Sequence, residues 1–296
     1  MKAFLSTNKN SLLILQTMKR SYIGEFFIFI SCIFFSIESI FVKYASQYHS
    51  GIFISFFKFS FGLILGIIII LIWKKEIVFI DKMNLLFRGI WGASSMICLY
   101  IAIKMTNSGR AMLLNNTGPI FAGLFGFLFF KEKINIKIVI SLFLCIIGTI
   151  LIFYDGSNSN LIGDILGLLS GMTAGFAIHY IKKSGINNSA LHIYLAVCFV
   201  GILASSFSFK EIAIINIYSI IFLIFLSLSI FLAQITMTYG FKFVEATKGS
   251  IIFFLKIPIT LILSFIFLNE IISFNFIIGT LLIISGLLIN VLKRKK

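Results

Sequence analysis

The chain has 296 residues, of which 59% are hydrophobic and 12% are charged, and its formal net charge is +15. Soluble domains carry about 25% charged residues, so this composition excludes an ordinary soluble protein. The positive charge would suggest nucleic-acid binding in a soluble chain, but here it is better interpreted as a membrane-topology signal, and we expect no nucleic-acid partner.

Ten apolar segments follow one another, and each is long enough to cross a bilayer as a helix, which takes about 20 residues. The predicted segments are Ile23–Ser46, Gly51–Trp73, Asn84–Met105, Gly109–Phe130, Asn135–Tyr154, Leu161–Lys182, Ala190–Phe209, Tyr218–Phe241, Ala246–Leu268 and Ser273–Leu292. Lipid cannot satisfy open backbone groups, and the apolar runs lack the polar alternation of barrel strands. The sequence therefore predicts an all-α membrane protein with ten transmembrane helices.

The basic residues between the segments set the predicted orientation. With ten spans, 19 of the 25 lysines and arginines fall on the side of the termini, four on the opposite side and two inside spans. Basic residues are enriched on the cytoplasmic side of membrane proteins. We therefore expect a cytoplasmic tail at 1–20, an external loop at 155–164 and a basic cytoplasmic C-terminus at 293–296, in a multi-pass protein of the bacterial plasma (inner) membrane.

The chain repeats itself with an offset of 138 residues. Glu132 matches Glu270 and Gly148 matches Gly286, while two prolines, Pro119 and Pro258, recur one residue further apart. This predicts two five-helix repeats, residues 20–155 and 160–292. Because five crossings reverse the chain's direction, the second repeat is inverted relative to the first. Inverted repeats are typical of secondary transporters, whose sites lie between the repeats near the bilayer midplane.

Ionisable side chains inside a bilayer are costly and usually face a cavity or a partner. Glu38, Lys58 and Lys256 lie inside predicted spans, and polar or aromatic residues accompany them. The substrate-binding residues that we expect are Glu38, Lys58, Trp91, Tyr100, Asn115, Asn116, Gln234 and Lys256. A purely structural Glu38–Lys58 ion pair is an equally good interpretation, and Lys256 has the alternative of snorkelling to the membrane surface. Excess positive charge would suit a carboxylate, a phosphate or another electron-rich group.

The motifs, taken in order, resemble the drug/metabolite transporter superfamily in its EamA-type ten-helix branch. They are Val42-Lys43-Tyr44, Phe56-Phe57-Lys58-Phe59, Arg88-Gly89, Tyr100-Ile101-Ala102-Ile103, Pro119, Lys131-Glu132, Gly148, Tyr239-Gly240-Phe241, Pro258, Asn269-Glu270 and Gly286. The family often carries arginine where this chain has Lys58, which as a point charge cannot bind a carboxylate in bidentate fashion. The resemblance implies a substrate-binding transporter for amino acids, drugs, nucleotide derivatives or vitamins, without naming the substrate.

The leading hypothesis is a secondary transporter that moves a small polar metabolite across the membrane by alternating access, and not an enzyme. The chain has neither a GxxxxGK[ST] nor an HExxH motif, and we expect no cofactor and no metal. An intramembrane enzyme and a passive channel or lipid scramblase are the alternatives. Three questions stay open at this point: whether the protein imports or exports its substrate, whether transport is coupled to protons or to a counter-substrate, and whether the protein is a monomer or a homodimer.

Overall fold

Helices account for nearly all of the chain that the computed structural model describes, which is residues 2–74, 79–105, 108–132, 136–153, 160–268 and 274–291. They are α1 (Lys2–Ala45), α2 (Gly51–Ile72), α3 (Lys82–Met105), α4 (Ser108–Asn115), α5 (Gly118–Phe130), α6 (Ile136–Phe153), α7 (Leu161–Ser184), α8 (Ala190–Ser205), α9 (Ile217–Phe241), α10 (Ala246–Phe253), α11 (Lys256–Leu268) and α12 (Phe274–Val291). A 3-10 segment, Ser206–Ile214, joins α8 to α9. Residues 155–159 of the predicted external loop, Glu270 and the predicted C-terminal tail lie outside the described residues.

Seven helical stretches of the described residues are long and apolar enough to cross a membrane. They are Ser21–Ala45, Gly51–Ile72, Lys82–Met105, Leu161–Ser184, Ala190–Ala213, Ile217–Phe241 and Lys248–Phe267. The predicted fourth, fifth and tenth segments appear as shorter apolar helices, Gly118–Phe130, Val139–Gly148 and Ile277–Gly286. The predicted N-terminal tail is helical and continuous with the first span, because α1 begins at Lys2.

Two of the predicted helices are interrupted, which the apolar pattern did not indicate. The fourth segment breaks into α4 and α5 at residues 116–117, and the ninth breaks into α10 and α11 at residues 254–255. In each case a proline, Pro119 or Pro258, lies in the first turn of the helix that follows. Proline has no backbone N–H and clashes with the preceding turn, but it fits the first turn of a new helix. The two interruptions are 138 residues apart.

The helices of the two predicted repeats pack in matching pairs. Helix α1 packs on α9 as α3 packs on α7, while α2 contacts α8 and α6 contacts α12. In the last pair, a Cβ atom on Gly148 would lie 2.5 Å from the carbonyl oxygen of Gly279, and one on Gly286 would lie 2.9 Å from that of Ser141. Glycine therefore permits the close backbone approach of α6 and α12, and it does so at positions that share the 138-residue offset.

One end of the bundle, here called the Ser50 end, is bridged by polar contacts between distant elements. The carboxylate of Glu211, in the 3-10 segment, accepts hydrogen bonds from the backbone N–H of Ser50 at 2.8 Å and from its hydroxyl group. The hydroxyl of Tyr44, near the C-terminus of α1, donates to the carbonyl of Phe267 at 3.0 Å. Helix α1 ends here, and so does α11.

The opposite end, here called the Glu132 end, is bridged in a corresponding way. The amide of Asn188, which precedes α8, donates to the carbonyl of Ile80 at 2.6 Å and accepts from the N–H of the same residue at 3.0 Å. The carboxylate of Glu132 accepts from the backbone N–H of Ala246 at 3.3 Å and lies 3.9 Å from the ammonium of Lys182. Helix α7 ends here, so α1 and α7 run in opposite directions.

Candidate functional site

A cavity of about 90 Å³ lies in the middle of the bundle, between helices of both predicted repeats. Its walls come from α1, α3, α4 and α7, from α9, and from the junction of α10 with α11. The polar residues that line it are Glu38, Arg88, Ser95, Tyr100, Asn115, Gln234 and Lys256. Apolar side chains such as Met96, Ile178 and Ile230 form the rest of the wall. Five of the eight predicted site residues are thus brought together.

Tyr100 joins Glu38 to Lys58. Its hydroxyl donates to the Glu38 carboxylate and accepts from the Lys58 ammonium, with Nζ and Oη 3.1 Å apart. The Lys58 ammonium also lies 4.2 Å from the centre of the Tyr100 ring. The contact between the two charges is therefore indirect, and Lys58 sits behind Tyr100 without lining the cavity. The sequence placed these charges at a similar depth but gave no sign that a tyrosine lies between them.

Arg88 is a charged cavity residue that the sequence did not indicate as part of the site. It belongs to the 19 basic residues that the predicted topology places on the side of the termini, yet it lies six residues inside α3 and is only 2% exposed. Its Nη2 donates to Oε1 of Gln234 on α9 at 2.9 Å. The guanidinium occupies the space next to Gly92, where a Cβ atom would collide with Nη1. Glycine four residues after an arginine, on the same helix face, is the signal that would have found it.

Lys256 lies where the ninth predicted segment is interrupted, and α1 supports that interruption. The hydroxyl of Ser36 donates to the carbonyl of Lys256 at 3.2 Å, and the hydroxyl of Thr260 donates to Ser36 at 3.0 Å. The Lys256 ammonium lies 5.4 Å from the ring centre of Phe35 and 5.9 Å from that of Phe253. The side chain is 5% exposed, so it stays among the helices and does not snorkel outward.

The remaining predicted residues divide between the cavity and other surroundings. Asn115, the last residue of α4, lines the cavity and donates to the hydroxyl of Ser170 on α7 at 3.1 Å. Trp91 stacks on Phe176 with ring centres 4.9 Å apart, and Asn116 is buried in the turn between α4 and α5. Trp91 and Asn116 do not line the cavity.

The cavity is polar at two levels along the bundle. Arg88 and Tyr100 are twelve residues apart on α3, which corresponds to about 18 Å along the helix axis. The Glu38–Tyr100–Lys58 cluster therefore lies towards the Ser50 end, where one negative and one positive charge balance. Arg88 and Gln234 lie towards the Glu132 end, and Lys256 lies between the two levels, so that the excess positive charge belongs to Arg88 and Lys256.

Two titratable groups outside the membrane-spanning stretches, the buried His49 and the half-buried Lys242, lie at opposite ends of the bundle. Burial lowers the pKa of the His49 imidazole, although the nearby Glu211 carboxylate acts in the opposite direction. Burial also lowers the pKa of Lys242, whose ammonium donates to the carbonyl of Asn188. Both groups therefore adjoin the polar contacts that bridge the ends.

Among the described residues, no three His, Cys, Asp or Glu side chains come together in a group that would hold a metal ion. The chemistry that the cavity offers is instead that of recognition: two cations, one carboxylate, hydroxyl groups and amides on a largely apolar wall. Such a combination is usual in sites for small molecules, where a few polar groups fix the orientation of the ligand.

Relatives of the chain are named as transporters. An uncharacterized transporter of Clostridium kluyveri is 27% identical over 306 aligned positions, which cover 94% of this chain and 95% of that protein. Solute carrier family 35 member G1 of Homo sapiens is 24% identical over 288 positions, covering 89% and 77%. The pseudopaline exporter CntI of Pseudomonas aeruginosa is 29% identical over 170 positions, covering 55% and 59%.

A solved crystal structure has the same fold, with a TM-score of 0.76 over 92% of this chain and 99% of that chain, at 13% sequence identity. The profile of the EamA-like transporter family matches twice, at residues 22–154 and 161–292. These two matches cover most of the chain and agree with the resemblance seen in the motifs. The chain therefore belongs to the EamA-like transporter family, a group of multi-pass membrane proteins.

Proposed function

We propose that this protein is a secondary transporter, and not an enzyme, that moves a small polar metabolite across the membrane by alternating access. The observation that carries the proposal is the position of the cavity. Both halves of the chain line it, and Asn115 and Lys256, which flank the two helix interruptions, are part of its wall. Interrupted helices at the interface of two repeats are a common way to build the substrate site of a secondary transporter.

The proposal includes ten crossings in two inverted five-helix repeats. Helices α4 and α5 together span residues 108–130, which corresponds to about 35 Å at 1.5 Å per residue. Helices α6 and α12, with 18 residues each, would reach about 27 Å, close to the ~30 Å of a hydrocarbon core. The double family match, the paired packing and the opposite directions of α1 and α7 support the inverted arrangement.

We infer that substrate passage requires the two ends of the bundle to open in turn. The cavity is small compared with ligand sites of about 300 Å³ or more, and polar contacts bridge both ends. Entry from one side would separate Glu211 from Ser50, and exit on the other would separate Asn188 from Ile80. Each of these contacts joins one half of the chain to the other.

For orientation we propose that both termini are cytoplasmic, in a bacterial plasma membrane. Because Arg88 is buried, the basic residues on the inner side number 18 instead of 19, against four outside. The bias remains strong. A cysteine introduced at Ser157 should react with an impermeant reagent from outside, whereas one at Lys295 should not. The reverse labelling would contradict the orientation.

Transport itself is tested with the purified protein in liposomes. A thermal-shift screen of metabolites first finds ligands, since a ligand that binds the native state raises the melting temperature. The best ligand, radiolabelled, should then be taken up in a saturable way and should exchange with unlabelled ligand across the membrane. Unsaturable leak would favour a channel, lipid flipping without solute uptake would favour a scramblase, and chemical conversion of the ligand would favour an enzyme.

A further inference from the structure

The Arg88 guanidinium is a buried cation whose hydrogen-bonding capacity is only partly used. It is 2% exposed, and Gln234 accepts from its Nη2. Its Nε–H is buried without a hydrogen-bond partner within the described part of the chain. Buried donors are almost always satisfied, and an unsatisfied charged donor is costly. Since Arg88 lines the cavity, a bound molecule can supply the missing acceptor.

Gln234 and Gly92 hold the guanidinium in a defined position. Gly92 leaves the space that Nη1 occupies, and Gln234 accepts at Nη2 from the neighbouring helix α9. A positioned guanidinium presents parallel N–H groups that match the two oxygens of a carboxylate or phosphate.

Lys256 adds a second cation to the wall of the same cavity. Among the described residues its ammonium makes no hydrogen bond or ion pair; it faces the rings of Phe35 and Phe253, and the Glu38 carboxylate attracts it from a greater distance. Among the described residues, Glu38 is the single carboxylate of the cavity wall. It is linked to Lys58 through the hydroxyl of Tyr100, which hydrogen-bonds to both. Arg88 and Lys256 therefore contribute a positive charge that the described protein groups do not neutralise.

We propose that the transported metabolite is an oxyanion, a carboxylate or a phosphate, whose anionic group binds the Arg88 guanidinium while Lys256 neutralises its charge. This inference rests on the proposed function, because it assigns the substrate class of the same cavity. The anion accepts from Nε–H and from the second hydrogen of Nη2, and Gln234 keeps the guanidinium oriented. Since Arg88 belongs to the first half of the chain and Lys256 to the second, a bound anion would interact with both halves.

The first test measures the binding of small anions to the wild-type protein by thermal shift and calorimetry. Acetate, succinate and inorganic phosphate are compared with acetamide, succinamide and glycerol, which lack the charge. We expect stabilisation by at least one of the three anions and none by the neutral compounds, and the more effective anion type separates carboxylate from phosphate recognition. Equal binding of charged and neutral compounds, or no response to any of the anions, would overturn the inference.

The second test uses Arg88→Lys, which keeps the charge but loses the parallel N–H groups, and Arg88→Gln, which loses both. A hydrogen bond to a charged group contributes about 1.5–3 kcal/mol, so we expect binding of the anion to weaken roughly 10- to 100-fold in Arg88→Lys, and further in Arg88→Gln. Lys104→Gln is the matched control, since Lys104 is an exposed cation near the other end of α3, and it should bind like the wild type.

The two proposals fail in different ways. Saturable uptake of a neutral or cationic metabolite that Arg88→Lys leaves unchanged would overturn the oxyanion assignment and leave the transporter proposal standing. Anion binding that depends on Arg88, without uptake of any ligand into liposomes, would contradict transport while supporting the binding site.

Discussion

Replacing Tyr100 by phenylalanine is the sharpest test of how the cavity is held together. The change removes one hydroxyl and almost no volume, so its effect reports the two hydrogen bonds that this group makes. Both partners are charged and both are buried, with Glu38 6% and Lys58 1% exposed. Without the hydroxyl, each of these buried charges loses a hydrogen bond.

The expected magnitude follows from these contacts. A hydrogen bond to a charged group contributes about 1.5–3 kcal/mol, so the loss of two should cost about 3–6 kcal/mol of unfolding free energy. For a chain of this size, a change of 1 kcal/mol moves the melting temperature by about 2 °C. We therefore expect Tyr100→Phe to melt roughly 6–12 °C below the wild type.

The assay is thermal unfolding in detergent, with Tyr239→Phe as the control. Tyr239 is 40% exposed and its ring packs on Phe27, so loss of its hydroxyl should change the melting temperature by no more than about 1 °C. If Tyr100→Phe melts with the wild type, the hydroxyl does not join Glu38 to Lys58 and the description of this cluster is wrong.

A double variant of the same cluster separates a structural role from a role in transport. With both Glu38 and Lys58 replaced by apolar residues of similar size, neither charge of this pair is left without its partner, and stability should stay near that of the wild type. Normal uptake by this variant would show that the pair is structural, whereas a folded variant without uptake would support its place in the site.

Three further changes have expected outcomes. Lys256→Met should abolish the response to substrate without lowering the melting temperature, because within the described chain the ammonium makes no hydrogen bond or ion pair that would be lost. Lys248→Met should change neither, and an unaltered substrate response in Lys256→Met would contradict the role of Lys256. Gly148→Ala should cost about 1–3 kcal/mol, measured by unfolding, since its Cβ would meet the carbonyl of Gly279 at 2.5 Å; wild-type stability would show that α6 and α12 are not in close contact. Because the pKa of His49 lies below its ordinary value of 6.5, the unfolded chain binds more protons than the folded chain, and the unfolding free energy should fall as the pH drops below 6.5. His49→Leu should flatten this pH dependence. An equal slope in the variant and the wild type would exclude His49 as its source.

The sequence predicted the helices better than it predicted which way their side chains face. Each predicted apolar segment that lies in the described chain coincides with a helix or a pair of short helices. Segments that are apolar on all sides carry no strong stripe, so the rotation of each helix about its axis is set by packing. For this reason the sequence could not show that Trp91 and Asn116, which were expected in the cavity, face other surroundings.

Two features of the site depend on depth and tertiary contact, which the pattern of residues does not specify. A charge near the edge of an apolar segment resembles a residue of the adjoining loop, and for that reason the sequence placed Arg88 on the cytoplasmic side. Its side chain is buried among the helices because Gly92 leaves room for the guanidinium. The residues at the 254–255 interruption are themselves apolar, so the hydrophobic pattern gives no sign of a break and Pro258 is the one residue that marks it. Glu38 and Lys256, which the cost of charge in lipid indicated, both lie in the cavity wall, and their role in substrate binding stays a prediction.

The pairing of helices raises the question of whether one half of the chain could replace the other. With the 138-residue offset, Arg88 corresponds to Leu226, Tyr100 to Thr238, and Gln234 to Met96, so the proposed repeat is alike in its backbone and unlike in its side chains. A dimer made from two copies of residues 20–155 would rebuild the scaffold with two Arg88 guanidinium groups and no Gln234 to orient either one. On the proposed repeat, the two halves therefore contribute different groups to the cavity, and only a pair of unlike halves brings Arg88 and Gln234 together.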